Sequence, residues 1–159
     1  MRRRSSGTAI VLVVLTGLFL ARVAGQALVA FGGVAWLPPM DAWYSGLLPY
    51  PILLPLQALI LVAQVTIDWQ VWRGVGFFGR SRPRTGRALR GFSYVYALAM
   101  LVRWLLTRTH GIPIAFHWVL AAYLFMLGSS VAGTPTAPTR RPAAAPAAPP
   151  IDADAEAAA

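Results

Sequence analysis

Four long apolar stretches constrain this chain more than any other feature. They cover residues 9–20, 52–65, 94–102 and 112–127, and charged side chains fall mostly between them. A helix needs about 20 apolar residues to cross the roughly 30 Å hydrocarbon core of a bilayer. Over such lengths in lipid, a helix satisfies all of its own backbone hydrogen bonds. The sequence therefore predicts an all-α integral membrane protein with four transmembrane helices.

The chain divides into a transmembrane domain, residues 1–133, and a tail, residues 134–159. Within the domain, the predicted helices cover residues 8–31, 50–72, 91–109 and 112–131. The tail is rich in alanine and proline and contains no aromatic side chain. Such a composition cannot bury a hydrophobic core, so we expect the tail to be disordered.

The distribution of arginine predicts the orientation of the helices. All 14 basic residues are arginines, and 11 of them precede the first helix, connect the second helix to the third or follow the fourth. Only Arg108 lies in a connection on the opposite side. Because cytoplasmic loops are enriched in basic residues, both termini are predicted to be cytoplasmic. The arginines expected to anchor the protein at the inner leaflet are Arg73, Arg80, Arg82, Arg84, Arg87 and Arg90.

Composition narrows the class of protein further. Arginine without lysine, together with abundant alanine, glycine and proline, indicates a GC-rich coding sequence. We therefore expect a bacterial protein of the cytoplasmic (inner) membrane, with the bilayer as its main partner. The net charge of +9 would suggest nucleic-acid binding in a soluble protein. Here the arginines follow the topology, so no nucleic-acid binding is expected. The absence of cysteine excludes disulfides and thiolate-bound metals.

Four polar residues within the predicted helices form the candidate site. At a rise of about 1.5 Å per residue, Arg22, Gln57, Arg103 and His117 lie about 18–22 Å from the cytoplasmic ends of their helices. They are therefore expected to share one layer in the outer half of the membrane. An arginine without a partner near the centre of such a helix costs about 2.5–3.5 kcal/mol. Three explanations remain open: snorkelling towards protein carbonyls, a carboxylate of another subunit, and a bound anion or lipid head group.

Two other features of the helices lead to expectations. Asp68 lies only about 6 Å from the cytoplasmic end of its helix, and we expect it to pair with Arg73 or another loop arginine. In the first helix, Gly17, Ala21 and Gly25 recur at four-residue intervals and form a smooth ridge, which favours close helix packing within the chain.

The first helix also has an alternative interpretation. A basic start, an apolar run and small residues before Gln26 are typical of a cleavable signal peptide. The apolar run continues beyond that position, as it does in a membrane anchor.

The sequence contains no constellation that indicates an enzyme. His110 and His117 are seven residues apart, which is not the spacing of two ligands on one helix face, so neither a metal site nor a cofactor is expected. The leading hypothesis is a non-enzymatic accessory or assembly subunit of a membrane complex. The alternative is a binder or carrier of an anionic lipid, quinone or similar amphiphile, with Arg22, Gln57, Arg103 and His117 as the binding residues.

Overall fold

The computed structural model describes residues 6–43, 48–107 and 111–133. Their helices are α1 (Ser6–Gly32), α2 (Met40–Trp43), α3 (Tyr50–Arg73), α4 (Pro83–Thr107) and α5 (Gly111–Ala132), and these residues contain no β-strand. All but α2 are long and apolar enough to cross a membrane. The prediction of an all-helical chain with four such helices is therefore confirmed. The predicted tail, residues 134–159, lies outside the described residues.

The long helices follow the spatial order α3, α1, α5, α4. Helix α1 packs against both α3 and α5, whereas α4 packs against α5 and against no other described helix. Helices α3 and α4 have no close backbone contact with each other, so the described helices do not close into a four-membered ring. The short helix α2 lies against α1 and α5. This arrangement leaves α3 and α4 as two open edges.

Helices α4 and α5 approach each other most closely at two glycines. A Cβ added to Gly128 would lie 2.9 Å from the carbonyl oxygen of Gly86 and 2.9 Å from the backbone nitrogen of Arg90. A Cβ added to Gly86 would overlap the backbone of Ala132 and of Gly128. Small residues of this kind allow two helix backbones to pack directly in a membrane.

Helix α4 begins earlier than the sequence predicts. It starts at Pro83 instead of residue 91, and it extends to Thr107, the last residue described before residue 111. Proline suits the first turn of a helix because its φ angle is already helical and its missing N–H has no partner to lose there. The predicted start was wrong because a dense group of arginines was interpreted as a loop. Three of the anchoring arginines therefore belong to the first turns of α4: Arg84, Arg87 and Arg90.

The apolar core occupies one half of the helix layer. It joins the N-terminal half of α1 to the C-terminal halves of α3 and α5. Its buried members are Ala9, Leu12, Val71, Tyr123, Leu127 and Val131. The candidate site lies in the other half, towards the C-terminal end of α1.

Helix α3 buries a polar stripe and exposes apolar side chains. Gln57, Gln64 and Asp68 are buried, whereas Leu59 and Val62 are each 64% exposed. In water this arrangement would leave the apolar surface solvated and the polar groups desolvated. It is the arrangement expected of a helix that faces lipid on one side and polar partners on the other.

Candidate functional site

A cavity of about 200 Å³ is bounded by α1, α3, α4 and α5, with Trp43 of α2 in its wall. Each of the four long helices contributes one polar side chain to the wall: Arg22, Gln57, Tyr96 and His117. The other described residues of the wall are apolar. The volume corresponds to roughly seven water molecules in the liquid. It therefore accommodates a small polar head group, with an apolar wall around it.

Arg22 is the only charged residue among those described in this wall. Its side chain is buried, with 8% exposure, and its guanidinium carbon lies 5.5 Å from the ring centroid of Phe116. Its Nε atom is buried without a hydrogen-bond partner. A cation–π contact offsets about 0.5–2 kcal/mol, and it satisfies none of the five N–H donors of a guanidinium. Among the described residues, no carboxylate pairs with this cation.

Gln57 is connected to α1 by an amide–amide hydrogen bond. Its Nε2 donates to Oε1 of Gln26 at 3.1 Å, and both side chains are buried. The remaining amide atoms, Oε1 of Gln57 and Nε2 of Gln26, have no partner in the described structure. Exchanging oxygen and nitrogen in both amides would preserve the bond, because each amide carries a donor and an acceptor. The free atom of Gln57 can therefore act as a donor or as an acceptor.

On the opposite wall, α4 and α5 meet through Tyr96 and His117. The Tyr96 hydroxyl lies 2.5 Å from Nδ1 of His117, and the two rings pack edge to face. Phe92, one turn earlier on α4, stacks on Tyr96 with ring centroids 5.9 Å apart. These contacts hold both polar side chains at defined positions in the wall.

Trp43 lies directly over Gly25 of α1. Its Nε1 donates to the carbonyl oxygen of Pro38 at 2.9 Å, and a Cβ on Gly25 would lie 2.9 Å from Cη2 of the indole. Gly25 is therefore needed to seat Trp43. By contrast, a Cβ on Gly17 would meet nothing within 4 Å, and Ala21 is exposed. Of the predicted ridge, only Gly25 packs closely against another described helix, the short helix α2 through Trp43.

The structure brings together three of the four predicted site residues. Arg22, Gln57 and His117 line the cavity, and Arg103 does not. The depth of Arg103 was calculated from a helix start at residue 91, and the actual start at Pro83 moves it outward by about 12 Å. Tyr96, seven residues earlier on α4, lies in the wall instead.

Asp68 does not pair with arginine among the described residues. Its carboxylate accepts hydrogen bonds from the hydroxyls of Thr16 at 2.7 Å and Tyr123 at 2.9 Å. The expected partner, Arg73, instead places its guanidinium carbon 5.9 Å from the centroid of the Trp69 ring. The expected pairing was wrong because it followed proximity in sequence, whereas the buried face of α3 directs Asp68 towards α1 and α5.

The predicted anchoring arginines all have exposed side chains. Arg73 ends α3, two more lie in the connection to α4, and three lie in the first turns of α4. Arg82 in the connection places its guanidinium carbon 4.1 Å from the ring centroid of Phe77. Exposed arginines with aromatic neighbours at a helix end are typical of a membrane–water interface.

Sequence reasoning missed Tyr96 and Gln26 as parts of this site. Tyr96 lies in an apolar stretch, where tyrosine gives no signal distinct from a packing residue. Gln26 had a detectable signal, since Gln26 and Gln57 are polar side chains at similar depths on adjacent antiparallel helices.

Within the described ranges, no group of three or more His, Cys, Asp or Glu side chains is placed to hold a metal ion. The chain matches no protein-family model, and we find no match among curated proteins or solved structures.

Proposed function

We propose that this protein binds the anionic head group of an amphiphile in the cavity beside Arg22. The observation that carries the proposal is a buried guanidinium that has no counter-ion among the described residues, in the wall of a largely apolar cavity. An uncompensated arginine within a membrane-spanning helix costs about 2.5–3.5 kcal/mol. A carboxylate or phosphate would offset this cost with charge-assisted hydrogen bonds, which are about twice as strong as neutral ones.

The surroundings favour an amphiphile over a free ion. Leu53, Leu56 and Ile60 of α3 lie in the same wall as Arg22. Helices α3 and α4 both contribute to the wall without close backbone contact between them, and we infer a gap in the wall at this place. A head group fits the volume of the cavity, and an acyl chain would leave through this gap into the bilayer. Because Arg22 lies on α1, the function also requires that α1 remains attached to the mature protein.

The direct test is selective binding of a charged amphiphile. The purified protein in a neutral detergent would be titrated with dodecanoate, with dodecyl phosphate and with dodecanol, which share one chain length. We expect each anion to bind at least tenfold tighter than the alcohol, a ratio that corresponds to about 1.4 kcal/mol. The stronger of the two anions identifies the head-group chemistry.

The matched variants are Arg22→Gln and Arg103→Gln. Each removes one arginine from a membrane-length helix, but only Arg22 lies in the cavity wall. Arg22→Gln should lose the preference for anions, whereas Arg103→Gln and Arg22→Lys should retain it. Equal anion binding by Arg22→Gln and the unmodified protein would refute the proposal.

A second candidate function is the accessory or assembly subunit. It is favoured by the open edges of the helix layer, since α3 and α4, at the two ends of the helix order, have no close backbone contact with each other in the described structure. A carboxylate from a helix of another subunit would enter the same gap and pair with Arg22. Stoichiometric co-purification of a membrane protein in mild detergent, lost in Arg22→Gln, would favour this role. A folded monomer that retains only lipid would favour the first.

The arginine distribution supports a cytoplasmic location of both termini. The composition that indicates a GC-rich coding sequence supports a location in a bacterial inner membrane. In this orientation the Arg22 cavity lies in the outer half of the bilayer and Asp68 in the inner half.

A further inference from the structure

Asp68 has an environment that the anion site does not explain. It is the one acidic residue of the four long helices as described, and it is buried, with 6% exposure. Thr16 of α1 and Tyr123 of α5 donate hydrogen bonds to its two different oxygens. No arginine compensates its charge among the described residues. A carboxylate held in this way inside a membrane-length helix suggests a reversible proton site.

The Tyr123 hydroxyl has two acceptors within reach. It lies 2.9 Å from Oδ1 of Asp68 and 3.3 Å from the backbone carbonyl oxygen of Gln64. When Asp68 is ionised, the hydroxyl donates to the carboxylate. When Asp68 is protonated on Oδ1, the hydroxyl can donate to the Gln64 carbonyl and accept the new O–H of the acid. The cluster therefore satisfies both protonation states without moving a helix.

Unpartnered amides line the interface between Asp68 and the cavity. Both amide atoms of Gln64 are buried without a hydrogen-bond partner, as is Oε1 of Gln57. Buried polar atoms in this state are normally satisfied by ordered water. From Gln57 to Asp68, α3 rises by about 16 Å, with Gln64 between them. Water at these amides would connect the two sites along the α1–α3 interface.

The ionisable side chains on the helices around Asp68 are few. In the described structure they are Arg22 on α1, His117 and Tyr123 on α5, and Tyr50 and Arg73 on α3. Only Tyr123 contacts Asp68 directly. Thr16 bonds to Asp68, and Arg22 follows Thr16 by six residues, which is about 9 Å along α1. On α1, α3 and α5, Arg22 is therefore the one described arginine away from a helix end. No hydrogen bond or ion pair joins it to Asp68 in the described structure, so only the long-range attraction of its charge can favour the ionised carboxylate.

We propose that Asp68 is a proton-binding site, and that an anion bound at Arg22 is accompanied by a proton on Asp68. The inference rests on the proposed function. The anion neutralises Arg22, and the ionised form of Asp68 then loses the long-range attraction of that charge. One proton from the solvent forms an O–H bond on the carboxylate, so the helix interior gains no net charge.

The experiment counts protons taken up with the anion. Dodecanoate would be titrated into the purified protein in a calorimeter at neutral pH, in two buffers that differ in ionisation enthalpy. The difference between the two binding heats gives the number of protons taken up. We expect between 0.5 and 1 proton per bound anion, as an order-of-magnitude result of the charge balance. Asp68→Asn should bind dodecanoate without this uptake, and Asp41→Asn, the matched control on α2, should keep it.

An infrared measurement keeps the test decisive should Asp68→Asn fail to fold. Dodecanoate labelled with ¹³C at its carboxyl group would be added to the Asp41→Asn protein. The C=O stretching band of a protonated carboxyl group should then appear at the ¹²C frequency, which assigns it to the protein and not to the ligand. Anion binding without proton uptake or this band would refute the inference and leave the proposed function standing. A complete lack of anion binding would refute both.

Discussion

The Tyr96 hydroxyl lies 2.5 Å from Nδ1 of His117, and their ring centroids are 5.8 Å apart at an interplanar angle of 80°. This pair is the polar contact between α4 and α5 at the level of the cavity. If the hydroxyl donates to Nδ1, the neutral imidazole carries its proton on Nε2. The contact therefore determines which nitrogen can donate a hydrogen bond elsewhere.

Replacing Tyr96 by phenylalanine should remove this constraint. We expect Tyr96→Phe to lower the free energy of unfolding by about 0.5–1.5 kcal/mol, the net value of one hydrogen bond. Nitrogen NMR of labelled histidine should show a mixture of the two tautomers instead of one. The matched control is Tyr94→Phe, because the Tyr94 ring is 63% exposed and packs against Phe125. The same tautomer change in the control would contradict the assignment.

The amide pair Gln26–Gln57 should behave as one unit. Gln26→Leu and Gln57→Leu each leave one buried amide without its partner, which costs about 1–3 kcal/mol. The double variant removes both amides, so its loss should be smaller than the sum of the single losses. Thermal unfolding in detergent would give the free energies of unfolding of the unmodified protein, the two single variants and the double variant, which together form a double-mutant cycle. Strict additivity would show that the 3.1 Å contact contributes nothing.

The close packing of α4 on α5 predicts a large effect from one methyl group. Gly128→Ala places a Cβ 2.9 Å from backbone atoms of α4, so the helices must separate. We expect a loss of about 1–3 kcal/mol, the usual cost of overpacking. At Gly91, also on α4, a Cβ meets nothing within 4 Å, so Gly91→Ala should be neutral or stabilising by up to about 1 kcal/mol. Tryptophan fluorescence during heating would compare the two.

The proposed orientation predicts which side of the membrane each loop faces. The chain contains no cysteine, so single introduced cysteines report without background. A membrane-impermeant maleimide should label Asp41→Cys in intact spheroplasts and Arg84→Cys only in inverted vesicles. Labelling of Asp41→Cys from the cytoplasmic side would reverse the topology.

The existence of the helices was predictable from sequence, because each apolar stretch lies within a segment of few charges that is about 20 residues long, the length of a membrane span. The start of α4 was not, since charge density was used as the sign of a loop. Pro83 and the Ala88–Leu89 pair are compatible with a helix start and a helix interior, and these local preferences prevailed.

The depth of each polar side chain along its helix was partly predictable from sequence. Depth calculations placed Arg22, Gln57 and His117 near one another because the actual cytoplasmic ends of their helices differ from the predicted ones by only one or two residues. The same calculation misplaced Arg103, whose helix start was wrong by eight residues. The partners of Asp68 were not predictable by this method, because depth gives no information about which face of a helix is buried.

For the proposed amphiphile, the lack of close backbone contact between α3 and α4 also determines how affinity should be expressed. A ligand that enters sideways comes from the bilayer, where its abundance is a mole fraction among lipids. A dissociation constant quoted per litre of water then combines partitioning into the membrane with recognition at Arg22. Changing the amount of lipid at fixed protein would shift that constant while the mole fraction at half-saturation stays the same.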